Sequence, residues 1–251
     1  MKLIAGAKIT FTKAALAGFS VAEKKAFYIF AHILNRTKLL EAQIFSQWQT
    51  VLDTQRSSIE RDAALFGLFE FIILLAGELK EGWEAITICY HKSQLSKTLN
   101  TQLPEEVQKI LKRLPDHFNG TSITHHLRNH FAYHHDPEKI FSAFQLLADD
   151  DLHIAYLFSE ENNYFDYATK LRIAAVAESI GHSDWRRAVE HLVTKVAGEV
   201  GADVSKVLNA ILATLIAKII DCDHEAVELP SVPNETELAG HFFFYAVPPG
   251  Y

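Results

Sequence analysis

Residues 58–90 read SIERDAALFGLFEFIILLAGELKEGWEAITICY. Leu65, Leu68, Phe69, Ile72, Leu75, Ala76, Leu79, Trp83 and Ile86 recur three and four residues apart without interruption. That spacing is the signature of a helix, not of a strand, whose apolar residues would alternate. The stretch predicts one long helix from about Ser58 to Tyr90. A stripe of this length has to be covered by more than one partner helix, so the reading decides for an all-α bundle. Glu70, Glu78 and Glu81 lie off the stripe. The most apolar part, AALFGLFEFIILLAG, is too short to span a bilayer and carries Glu70.

The pattern continues outward in both directions. Ser20 and Glu23 have the spacing of a capping box, followed by Phe27, Phe30, Ala31 and Leu34 at helical spacing. A separate helix is predicted over Thr37 to Val51, with Leu40, Ile44 and Trp48 facing inward. Beyond the long helix, a shorter one follows Pro104. Glu105 and Glu106 stand in its first turn and Lys112 and Arg113 in its last, an order that suits the helix dipole, and Pro115 ends it. FNGTS is a loop, in which Thr121 or Ser122 can cap the next helix. Asp136-Pro137 reads as N-cap and first helical residue of another, buried through Ile140, Ala143, Phe144 and Leu147.

After residue 151 the period changes. HIAYLFS, EENN and YFDYA together read as a small β-hairpin. Three helices are then expected: Thr169 to Ile180 ending at Gly181, Ser183 to Ala197, and Ala202 to Ile220. The last is apolar on nearly every side after Val207, which suits either the centre of the core or a subunit interface. The aromatic run HFFFYAV in the tail suggests a strand or an arm. The expected fold is an all-α bundle of about seven to eight helices with a β-hairpin insertion. Residues 1–150 form a helical domain, and residues 151–251 add the hairpin, the last helices and the tail to the same core.

Of 251 residues, 49% are apolar and only 7 are proline and 11 glycine, a composition for long regular elements around a sizeable core. The formal net charge of −7 argues against a general phosphate-binding surface, though not against a local basic patch. Cys89 and Cys222 fit no zinc or redox spacing and suit a reduced cytoplasm. Lys8 and Lys13 interrupt the apolar N-terminal stretch, which argues against a secretory signal. The reading is of a cytoplasmic protein without membrane or cofactor.

Residues 125–136, HHLRNHFAYHHD, concentrate the chemistry. On a helix over residues 122–135, Ile123, Leu127 and Phe131 face the core, and His126, His130 and His134 form a second stripe. Three readings stay open. Histidines four apart can share a metal ion, which makes His126, His130 and His134, helped by Asp136 or a glutamate of the long helix, a candidate metal set. The stripe can also be a solvated helix face, with Arg128 paired to an acid such as Glu70. The third reading is catalytic. Histidine titrates near neutrality and moves protons, and arginine grips phosphate oxygens with a planar fork. It joins Arg128, its polar neighbour Asn129 and a histidine several residues on, with Tyr133 to stack or donate. An arginine that is partly buried needs a counter-charge, so a carboxylate from Glu70, Glu78 or Glu81 is expected beside Arg128.

RNHFAYH resembles the R-x(4–6)-H motif of the HEPN superfamily, and the LRN and AYHHD ends match members of that group. The chain is also similar, over about its first two thirds, to uncharacterised bacterial HEPN-like proteins with an RN…AxHxD stretch and an EGWE helix, here Glu81, Gly82, Trp83 and Glu84. The resemblance implies a compact all-α domain and a metal-independent endoribonuclease, toxin- or defence-related, that leaves 2′,3′-cyclic phosphate ends. It implies RNA and a second copy of the chain as partners, the cleft being composite, and an antitoxin or other protein as a further partner. It also admits a non-catalytic binding or scaffold module. The commonest form has four residues between Arg and His, whereas five separate Arg128 from His134 and six separate it from His135. The family pattern favours His134. Ideal helix geometry favours His135, which shares a face with Arg128, while His134 would stand roughly 120° away.

Overall fold

The computed structural model describes residues 3–9, 11–132, 137–145, 154–156, 164–182, 184–219 and 224–230. The fold is an all-α helical bundle. Helix α1 spans Val21–Leu52 and α2 spans Ser58–Ile86, continuing as a π-helical turn over Thr87–His91. Short helices α3 (Leu95–Leu99) and α4 (Glu105–Arg113) follow. Helix α5 (Ile123–Leu127) passes directly into a π-helical segment, Arg128–Ala132. Then come α6 (Pro137–Gln145), α7 (Asp166–Ser179) and α8 (Trp185–Leu192), the last joined through π-helical Val193–Gly201 to α9 (Ala202–Ile216). Outside the bundle, Leu3–Ile9 pairs antiparallel with His224–Pro230.

The stripe of α2 is buried as its spacing requires. Leu68, Phe69, Ile72, Leu75, Ala76, Leu79 and Ile86 are all fully inaccessible. Its partners are α1 along its whole length, the motif helix α5, and the helix formed by α8 and α9. One hydrophobic cluster runs from Leu16 to Ile219, so both halves of the sequence share a core. Two capping boxes start the long antiparallel pair, Ser20 with Glu23 and Ser57 with Glu60. Each satisfies backbone N–H groups that the first helical turn leaves without partners.

Several expectations are corrected. The two helices read over residues 20–51 are one, because Thr37, at the supposed junction, is fully buried in helical backbone. The break expected at Gly198–Gly201 is absent as well. Gly201 has ordinary helical angles (φ −60°, ψ −46°), and a Cβ there would lie 2.8 Å from Glu41 Oε1. The glycine leaves room for the Glu41 side chain of α1 and does not end the helix. The resulting helix, Trp185–Ile219, is long and apolar enough to cross a membrane, yet 56% of its most apolar window is buried inside the bundle. Val204, Val207, Leu208, Ile211 and Leu215 are inaccessible, so this face of the helix lies in the core.

The β-hairpin is not supported. The described part of that segment makes a single antiparallel bridge, Tyr156 to Tyr164, and helix α7 already begins at Asp166. Asp166 is buried and paired with Lys170 one turn on at 2.5 Å, which holds Tyr167 and Ala168 helical. On α6, Ala143 is buried but Phe144 is 48% exposed, beside Phe141 at 57%. The aromatic tail run lies outside the described residues.

Candidate functional site

The site is built on α5 and the π-helical turn after it. Ser122 starts this helix by accepting a hydrogen bond from the His125 N–H (3.2 Å). Leu127 and Phe131 anchor it in the core at 0% and 3% exposure, and Ile123 is half-buried. The far end is held from another element. Arg172 of α7 donates to the Phe131 carbonyl (2.7 Å) through Nη2, and its Nη1 pairs with Glu70 of α2. Its guanidinium also lies over the Phe69 ring. A cation fixed by a carboxylate thus holds the Phe131 carbonyl.

Within this frame, Arg128 and Asn129 turn toward α2. Arg128 Nη1 donates to Asn129 Oδ1 (3.1 Å), and Asn129 Nδ2 lies 2.7 Å from His125 Nε2. With the amide donating, His125 Nε2 is the acceptor and its proton sits on Nδ1 in the neutral ring. Arg128 Nη2 stands 3.5 Å from Glu81 Oε1, with the arginine side chain 39% exposed and the glutamate 56%. A carboxylate of the long helix therefore does face Arg128, and it is Glu81. Glu70 is engaged by Arg172, and Glu78 pairs with Arg36 of α1 at 2.9 Å. Burial pushes the Glu78 carboxyl up, against the attraction of Arg36 and His32 and with the repulsion of Glu81. Two ion pairs thus flank α2, Arg36 with Glu78 on the α1 side and Arg128 with Glu81 on the motif side, with the two carboxylates three residues apart.

The opposite side of the same short helix opens into a cavity of about 370 Å³, lined by His126, Ser142, Ala175, Glu178 and Ser179 of α5, α6 and α7. His126 thus faces a different space from Arg128, although only Leu127 separates them.

Tyr133, His134, His135 and Asp136 lie outside the described residues, and so does the choice between His134 and His135. His135 shares a face with Arg128 only if the helix keeps 3.6 residues per turn from Arg128 onward. The described turn from Arg128 to Ala132 is π-helical and wider, which removes the premise. The metal set needs His134, and among the described residues no group of three or more His, Cys, Asp or Glu side chains comes together. Arg172, Arg36 and His125 were missed from the sequence. For Arg172 a signal existed: a lone charge inside the apolar run LRIAAVA of a helix.

No protein-family model, no curated protein and no solved structure matches the chain.

Proposed function

We propose that the protein is a metal-independent endoribonuclease of HEPN type, acting on RNA as a homodimer. The observation that carries this reading is the state of Arg128: a part-exposed guanidinium, oriented by Asn129, which His125 orients in turn. A preorganised donor fork of this kind suits an anion that carries more charge in the transition state than before it.

In the proposed reaction a histidine, His134 or else His135, takes the proton from the ribose 2′-OH. The 2′-oxygen attacks phosphorus, Arg128 holds the equatorial oxygens of the phosphorane, and a second histidine protonates the leaving 5′-oxygen. One helix supplies too few groups for all three tasks, which is the reason for a second copy. Cleavage of RNA in EDTA, with 2′,3′-cyclic phosphate ends, tests the proposal. Arg128→Ala and His134→Ala are expected to lower the rate by at least a hundredfold without lowering stability. Loss only in His135→Ala moves the role to that residue. No cleavage of any RNA ends the enzymatic reading.

A second reading has its own observation. Glu81 already occupies one edge of Arg128, as suits a module that binds RNA or a protein without cutting. RNA or partner binding in the absence of cleavage selects it.

A further inference from the structure

The corner between α7 and α8, remote in sequence from the RN…HH motif, sets two histidines side by side. His182 and His191 have ring centres 4.9 Å apart, inclined at 45°. Both are half-buried, and neither ring makes a hydrogen bond or ion pair with the described residues. Two imidazoles bound to one ion at about 2.0–2.1 Å put their ring centres about 4.5–5.2 Å apart, the lower figure for adjacent octahedral positions and the upper for tetrahedral ones. The observed separation falls inside that interval.

Both rings are carried by fixed backbone. Helix α7 ends with Gly181 in the left-handed region (φ +79°), its N–H donating to the Glu178 carbonyl (3.0 Å) and the His182 N–H to the Ala177 carbonyl (2.8 Å). This double closure is a Schellman end and fixes the direction in which His182 leaves the helix. Helix α8 is capped by Asp184, whose carboxylate accepts from the Arg186 N–H (2.8 Å), and it carries His191 in its last turn.

We propose that His182 and His191 form a two-ligand site for a borderline transition-metal ion of the Zn²⁺ or Ni²⁺ class, with water in its other positions. Imidazole nitrogen suits that class, while hard cations prefer oxygen. Lys195, one turn on from His191, is paired with Glu199 (2.8 Å) and does not repel an ion unopposed. The site does not depend on the nuclease reading.

The test is calorimetric titration of the EDTA-treated full chain with NiCl₂ or ZnCl₂ alone. One ion per chain is expected, with affinity falling at least tenfold in His182→Ala and in His191→Ala. His191→Gln, which keeps a polar surface side chain, repeats the measurement if the alanine variant melts early. His126→Ala/His130→Ala runs alongside and has to retain the binding. No saturable binding, binding unchanged in His182→Ala/His191→Ala, or loss only in His126→Ala/His130→Ala each overturns the proposal.

Discussion

Replacing Arg172 by methionine isolates the tie that holds the motif helix. The methionine keeps an unbranched stem against Phe69 and removes the charge. Lost are a charge-assisted hydrogen bond to the Phe131 carbonyl and the pair with Glu70. A hydrogen bond to a charged group contributes about 1.5–3 kcal/mol. Breaking a fully buried pair costs about 3–5 kcal/mol, but the Glu70 side chain is 28% exposed and water can reach it, so the orphaned carboxylate adds far less. The expected loss is about 2–3 kcal/mol, which in a chain of this size lowers Tm by about 5–10 °C. Urea unfolding with an unchanged slope measures it. The double variant Glu70→Gln/Arg172→Met should lose less than the two single changes summed, by about 1 kcal/mol or more. A loss under about 0.5 kcal/mol, or strict additivity, would show that the tie is cosmetic. Because the same tie fixes the π-helical turn, Arg172→Met should also slow any RNA cleavage without touching RNA itself.

Three further outcomes are expected. Glu81→Gln frees one edge of Arg128 and should tighten RNA binding severalfold while leaving stability within about 0.5 kcal/mol, which a filter-binding titration and a melt check together. Gly181→Ala forces a side chain into the left-handed region and should destabilise by about 1–2 kcal/mol in urea unfolding, whereas Gly18→Ala, whose Cβ meets nothing within 4 Å, serves as the control. Asp203 is bound by Arg113 (2.6 and 2.9 Å) and by His117 (3.2 Å). Burial raises its carboxyl, but Arg113 and then His117 outweigh burial and hold it below the ordinary range. The unfolded chain therefore binds the proton more readily, so the stabilisation is present above about pH 4 and lost as pH falls through the lowered folded value. Asp203→Asn should weaken the fold at neutral pH and flatten that acid limb of the stability curve.

The bundle was legible because its signals are local and periodic. The stripe of α2, the Ser20–Glu23 box, the Glu-to-Arg order of α4 and the Gly181 stop each depend on residues within a few turns. What failed depended on neighbours distant in the chain. Asn35–Thr37 looks like a junction although Thr37 is buried inside one continuous helix, and Gly201 looks like a stop until Glu41 is brought against it. Phe144 looks like a core residue from its own helix alone, yet it is exposed while its neighbour Ala143 is buried. In the site, Arg128 and its need for a carboxylate on α2 could be inferred from charge alone. Glu81 as the partner could not, since it follows from Arg172 and Arg36 having taken Glu70 and Glu78.

The unbroken helix from Trp185 to Ile219 also sets how the molecule opens. Its first two turns carry exposed Arg186, Arg187 and Glu190, while Val204, Val207, Leu208 and Ile211 are inaccessible. Opening free energies rise from near zero at exposed ends to the global value in the core. Amide protons along this one helix should therefore exchange on a gradient, fast near residue 186 and only through whole-molecule unfolding near residue 208. The π-helical stretch Val193–Gly201 lies between the two regimes, and the step in protection should fall there.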